Sequence, residues 1–101
     1  MSDEVKIGQQ HVEQLLGEIA LTHGVQIERA YWVESPDGFT RGFELLVVTA
    51  GTRQFRERFG EINLEDCQST PAVQSLLRNQ VLGLVRRVKA ELQSNDQSPR
   101  S

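Results

Sequence analysis

The only run of four consecutive aliphatic residues in the chain, Leu45 to Val48, lies in the stretch Arg41-Gly42-Phe43-Glu44-Leu45-Leu46-Val47-Val48-Thr49-Ala50-Gly51. A short apolar run that ends β-branched and is bounded by glycines reads as a strand, and a buried one. It is expected to be the middle strand of a small sheet, because strand and turn signals lie on both sides of it.

On its N-terminal side Val25 to Glu34 alternates. Val25, Ile27, Tyr31 and Val33 fall on one side, and Gln26, Glu28, Ala30, Trp32 and Glu34 on the other. Ser35-Pro36-Asp37-Gly38 follows, with Pro and Gly placed for a tight turn. A three-residue loop there pairs Tyr31 with Phe43, Ile27 with Val47, and Trp32 with Gly42. On the C-terminal side, a three-residue loop of Thr49-Ala50-Gly51 pairs Leu45 with Phe55, Phe43 with Glu57, and Glu44 with Arg56. Apolar then meets apolar and acid meets base. Two residues resist this register. Arg29 and Glu57 are turned inward, and only a bulge or a rim position relieves them.

Helices flank the strands. Val12, Leu15, Leu16, Ile19 and Ala20 recur at the spacing of one helical face, in a helix that begins between Asp3 and Gln9 and ends at Gly24. Asn63-Leu64-Glu65-Asp66 supplies one helical turn. Thr70-Pro71 then opens a last helix to about Gln93, with Val73, Leu76, Leu77, Val81, Leu84, Val85, Val88 and Leu92 on one broad face. Ser94 to Ser101 is polar and is expected to be a disordered tail. The expected fold is α+β: a helix, a three-stranded antiparallel meander and a helix, with both helices on one face of the sheet. Residues 1–93 form one domain.

That order of elements resembles the double-stranded RNA-binding domain. The family contacts RNA through a Gly-Pro-x-His loop between its first two strands and a lysine cluster opening its last helix. Here those places hold Ser35-Pro36-Asp37-Gly38 and Thr70-Pro71-Ala72-Val73-Gln74. The resemblance therefore implies an arrangement of elements and carries over no RNA-contacting residue.

Composition narrows the function classes. With 101 residues, 38 % hydrophobic and 25 % charged, the chain suits a small globular domain, and no apolar run approaches the roughly 18 residues of a membrane span. The acidic Met1-Ser2-Asp3-Glu4 start does not resemble a signal peptide, and Cys67 is the single cysteine, so a cytoplasmic location is expected. Catalytic groups are sparse. His11 and His23 are 12 residues apart on one helix and cannot share a metal, His23 suits a capping role, and the neighbours of Cys67 include no base. No phosphate-binding loop or metal motif occurs, so no cofactor is expected and the chain is read as non-enzymatic.

The surface offers more. In the alternation above, the sheet face away from the helices carries Ala30, Trp32, Leu46 and Val48 at its centre, with Glu28, Glu34, Glu44, Gln54, Arg56 and Arg58 around them. An apolar centre with a polar rim suits an interaction surface, and a homodimer is the simplest way to cover it. A competing expectation is nucleic-acid binding through Arg56, Arg58 and the last-helix cations Arg78, Arg86 and Lys89, with Trp32 stacking on bases. The net charge of −3 weighs against it.

Overall fold

A computed structural model describes residues 3–35, 41–49 and 53–96, with side chains through Leu92. The expected turn residues 36–40 and 50–52 and the end of the chain, 97–101, lie outside the described residues. The chain is α+β. Helix α1 (Asp3–Thr22) precedes strands β1 (Ile27–Glu34), β2 (Gly42–Thr49) and β3 (Arg53–Gly60), then a short α2 (Glu61–Asp66) and a long α3 (Pro71–Asp96). The strands form one antiparallel sheet in the order β1-β2-β3, with β2 central.

Local chemistry explains most boundaries. Helix α1 carries Asp3 and Glu4 in its first turn, where acids favour the helix dipole. It ends where Gly24 takes φ 69° and the Val25 amide reaches back 2.8 Å to the Ala20 carbonyl, a left-handed closure that suits glycine. The Nδ1–H of His23 donates to the Ile19 carbonyl at 2.9 Å, so this histidine caps the last turn. Helix α3 starts at Pro71, with the Val73 and Gln74 amides on the Thr70 carbonyl. It continues to Asp96, into the stretch expected as a tail from Ser94, because extending a nucleated helix costs little even for polar residues.

The core lies between the helices and one sheet face. Val12, Leu15, Leu16, Ile19 and Ala20 of α1 meet Leu77, Val81, Leu84, Val85 and Val88 of α3 over Phe43, Leu45, Val47 and Phe59 of the sheet. Leu76, expected in the α3 stripe, is instead exposed. Two buried positions were not in either stripe. Val5 and Gly8 extend the buried face of α1 towards its start, where the helix crosses Leu64 of α2.

The strand register departs from the simple hairpin count, in two different ways. Between β2 and β3 the ladder runs Phe43–Phe59, Leu45–Glu57, Leu46–Arg56 and Val47–Phe55, two residues away in sum from the expected pairing. An even shift leaves every side chain on its expected face. Between β1 and β2 the shift is odd. Ile27 pairs with Thr49, but Arg29 pairs with Val48, so Glu28 is an extra residue in a β-bulge. From Arg29 onward the faces exchange: Ala30 opposes Val47 and Trp32 opposes Leu45, on the helix side, while Tyr31 opposes Leu46 and Val33 opposes Glu44, on the open side.

Both residues that resisted the count are relieved. The bulge turns Arg29 outward, where its guanidinium lies 5.2 Å from the centre of the Tyr31 ring. Glu57 stays on the helix side at the rim, held by Arg87 at 2.7 Å and by the Gln80 amide at 3.1 Å, while Gln80 also donates to the Arg58 carbonyl. A further ion pair, Arg53 to Glu91 at 2.8 Å, joins β3 to α3 nearer the helix end.

Two buried polar atoms have no such relief among the described residues, Thr49 Oγ1 and Gln80 Oε1. Thr49 is fully buried between Ile27 and Arg53 in the ladder, and its Oγ1 has no hydrogen-bond partner among the described residues. Removing an unpaired buried hydroxyl without changing side-chain shape recovers its desolvation cost. Thr49→Val is therefore expected to stabilise the domain by about 1 kcal/mol. Urea denaturation would show a higher midpoint at unchanged slope; a lower midpoint would mean the hydroxyl is bonded.

Candidate functional site

The sequence-derived surface residues divide between two faces. Ala30 and Trp32 do not lie beside Leu46 and Val48; the bulge at Glu28 sends them to the helix-covered side. There the Trp32 indole meets Phe59 edge-on, with ring centres 5.6 Å apart at 63°, and its Nε1–H donates to Glu13 of α1 at 2.7 Å. Trp32 is thus a link between helix and sheet, with a satisfied polar end. Nor does it cover Gly42. The guanidinium of Arg58 lies across that glycine, where a Cβ would collide with it, and donates to the Ser35 carbonyl at 3.1 Å. One side chain of β3 thereby reaches over β2 to the end of β1.

The open face carries Glu28, Arg29, Tyr31 and Val33 from β1, Glu44, Leu46 and Val48 from β2, and Gln54, Arg56 and Arg58 from β3. Its centre is not an exposed apolar patch. Leu46 and Val48 are each only 7 % exposed, Leu46 flanked by Tyr31 and Arg56 and Val48 by Arg29 and Gln54. Long neighbours shield short ones in a sheet, and the face left to solvent is polar and cationic. Arg56 meets Glu44 on the diagonal at 3.6 Å, whereas Glu44 directly opposes Arg58.

Apart from Val33 on the open face, the exposed apolar surface lies elsewhere. A groove of about 410 Å³ runs between α1 and the edge strand β1, lined by Leu16, Ala20, Leu21, Val25, Ile27 and Ala30 among others. Leu21 stands at its rim 83 % exposed, and Val33, further along β1, is 42 % exposed. β1 is an edge strand, so half of its peptide groups face away from the sheet.

A second groove, about 570 Å³, lies between α1 and the start of α3. Gln10, His11, Gln14, Cys67, Gln68 and Gln74 line it with Ile7. Cys67 and His11 therefore share a lining that their sequence positions did not suggest. The thiol is nonetheless buried, and burial pushes its pKa up, whereas a nucleophile needs a thiolate. No carboxylate lines this groove among the described residues, and no cluster of three metal-binding side chains occurs among them. Of the last-helix cations, Arg78 lines a smaller groove beside His11, and Arg87, which follows Arg86 but lies apart from it round the helix, is engaged by Glu57 and the Arg56 carbonyl. Among the described residues no helix is long and apolar enough to cross a membrane.

Sequence reasoning missed Tyr31 and Arg29 as open-face residues and Leu21 as a rim residue. The signal for the first pair was present. An arginine turned in and a tryptophan turned out on one strand are both corrected by a single inserted residue between Ile27 and Arg29. Leu21 gave no such signal, since it sits one position past Ala20 on an otherwise regular apolar stripe.

Fold and surface define the chain as a small α+β domain with a three-stranded open sheet, a cationic outer face and an apolar groove along one sheet edge. No protein-family model, curated protein or solved structure matches it.

Proposed function

We propose that the chain is a small non-enzymatic protein-interaction module that self-associates through the edge of β1 and the groove between β1 and α1. The observation that carries this reading is the pairing, in one patch, of a protruding Leu21 with an apolar groove. A twofold contact requires a surface that complements itself, and a knob beside a hole meets that requirement. The edge peptide groups of β1 add hydrogen-bonding capacity along Ala30 to Val33, the uncharged part of the strand.

Charge sets the character of this contact. Antiparallel pairing of two β1 strands centred on Tyr31 brings Glu28 of one copy opposite Glu34 of the other. Like charges there oppose association, and salt screens them. The dimer is therefore expected to strengthen as salt is raised. The bulge and the two glutamates also limit the pairing length, as edge strands commonly do to avoid open-ended growth.

Leu21→Glu is the direct test. The side chain is almost fully exposed, so stability is expected to stay within about 0.5 kcal/mol of wild type, as for ordinary surface changes. Light scattering across a concentration series is expected to show a wild-type dimer and a Leu21→Glu monomer. A wild-type monomer throughout the series, or a variant that dimerises equally well, rejects the reading. In the first case an extended segment of another protein becomes the occupant to seek.

A further inference from the structure

We propose that the outer sheet face binds single-stranded nucleic acid, with Tyr31 as the stacking platform and Arg29 and Arg56 on the phosphates. This surface is separate from the α1–β1 groove, and its occupant is of a different class. The inference begins with the bulge at Glu28, which assembles residues that strict alternation would have scattered. Arg29 and Tyr31 join Arg56 and Arg58 on one face, beside the carboxylates of Glu44 and of the bulge residue Glu28. In a chain of net charge −3, a face with three arginines against the two acids Glu28 and Glu44 is a local reversal of sign. Such a reversal attracts anions whatever the overall charge.

The arrangement across the strands favours a single strand over other anions. Tyr31, Leu46 and Arg56 lie in one cross-strand row, and Arg29, Val48 and Gln54 in the next. A base resting on the Tyr31 ring would have Arg29 on one side and Arg56, across the shielded Leu46, on the other. The exposed Arg29 occupies the ring face at 5.2 Å, a place that a flat group from solvent can take in its stead. A base that takes its place frees Arg29 for a phosphate. Arg56 remains 63 % exposed at its side chain despite the ion pair with Glu44, whereas Arg58 is held at the Ser35 carbonyl and supplies charge without reach. A duplex would keep its bases from the ring. A phosphopeptide would use the arginines and leave the tyrosine idle.

Fluorescence anisotropy with a labelled oligothymidylate of about 12 nucleotides tests this, within the span that single-strand-binding folds cover. Binding is expected at about 50 mM salt and should weaken steeply as salt rises. Tyr31→Ala is expected to weaken it about 5- to 100-fold, the range for loss of one stacking platform. Arg29→Gln and Arg56→Gln should each lower affinity and flatten the salt dependence, while Leu21→Glu binds like wild type. Thermal unfolding of each variant separates lost binding from lost fold, and Arg29→Gln alone suffices if Arg56→Gln unfolds. Absence of binding at low salt overturns the proposal. So does equal affinity for a duplex, competition by a phosphoserine peptide at equal concentration, or indifference to Tyr31→Ala in a folded variant.

Discussion

Trp32→Ala is expected to destabilise the domain by about 3 kcal/mol, the lower end of the range for removing a packed aromatic, because the indole is half-buried. Two losses add. The ring leaves a void against Phe59 and the core, and Glu13 of α1 loses its donor on β1. In a domain whose total stability is of the order of 5–15 kcal/mol, that is a large fraction, and the thermal midpoint should fall by more than ten degrees. The measurement also decides the strand register. On the outer face Trp32 would cost under about 1 kcal/mol, as surface changes do. A loss that small would mean that the bulge at Glu28 does not exist.

Gly8→Ala should destabilise by about 2 kcal/mol, although alanine is the better helix former by about 1 kcal/mol. A Cβ on Gly8 would lie 2.8 Å from the Leu64 Cα and overlap the Leu64 carbonyl, so the backbone of α2 has to move. Backbone cannot swing aside as a long side chain can. Gly17 on the same helix is a built-in control, since a Cβ there meets nothing within 4 Å. Gly17→Ala should stabilise where Gly8→Ala destabilises. If chemical denaturation moves both midpoints the same way, the close crossing of α1 and α2 is not the cause.

The fold was legible where a pattern repeats. The stripes of α1 and α3, the stop at Gly24 and the start at Thr70-Pro71 each rest on several residues that agree, so one exception such as Leu76 does not disturb them. The strand pairings were legible only in parity. Hairpin register depends on loop geometry, and loops that open or close by one residue leave no trace in the strands themselves. β3 kept its faces because its shift was even. β1 exchanged its faces because a bulge adds one residue, and alternation from Val25 to Val33 looked regular enough to hide it. The surface reading failed for the same reason. Placing Trp32 outside gave the sheet an apolar centre that it lacks, and it hid the cationic face that Arg29 and Tyr31 complete. The groove between α1 and β1 was beyond sequence reasoning, since it depends on how far a helix stands from a strand edge.

The single extra residue in β1 also bears on how this chain would align with others. A protein of the same architecture without the bulge would carry a β1 one residue shorter. An alignment without gaps inside strands would then match its core positions to Arg29, Tyr31 and Val33, and its solvent positions to Ala30 and Trp32. Core and surface would be compared with each other along the whole strand. A gap placed at Glu28 restores the correspondence, and kinship between such chains would be visible only with that gap allowed.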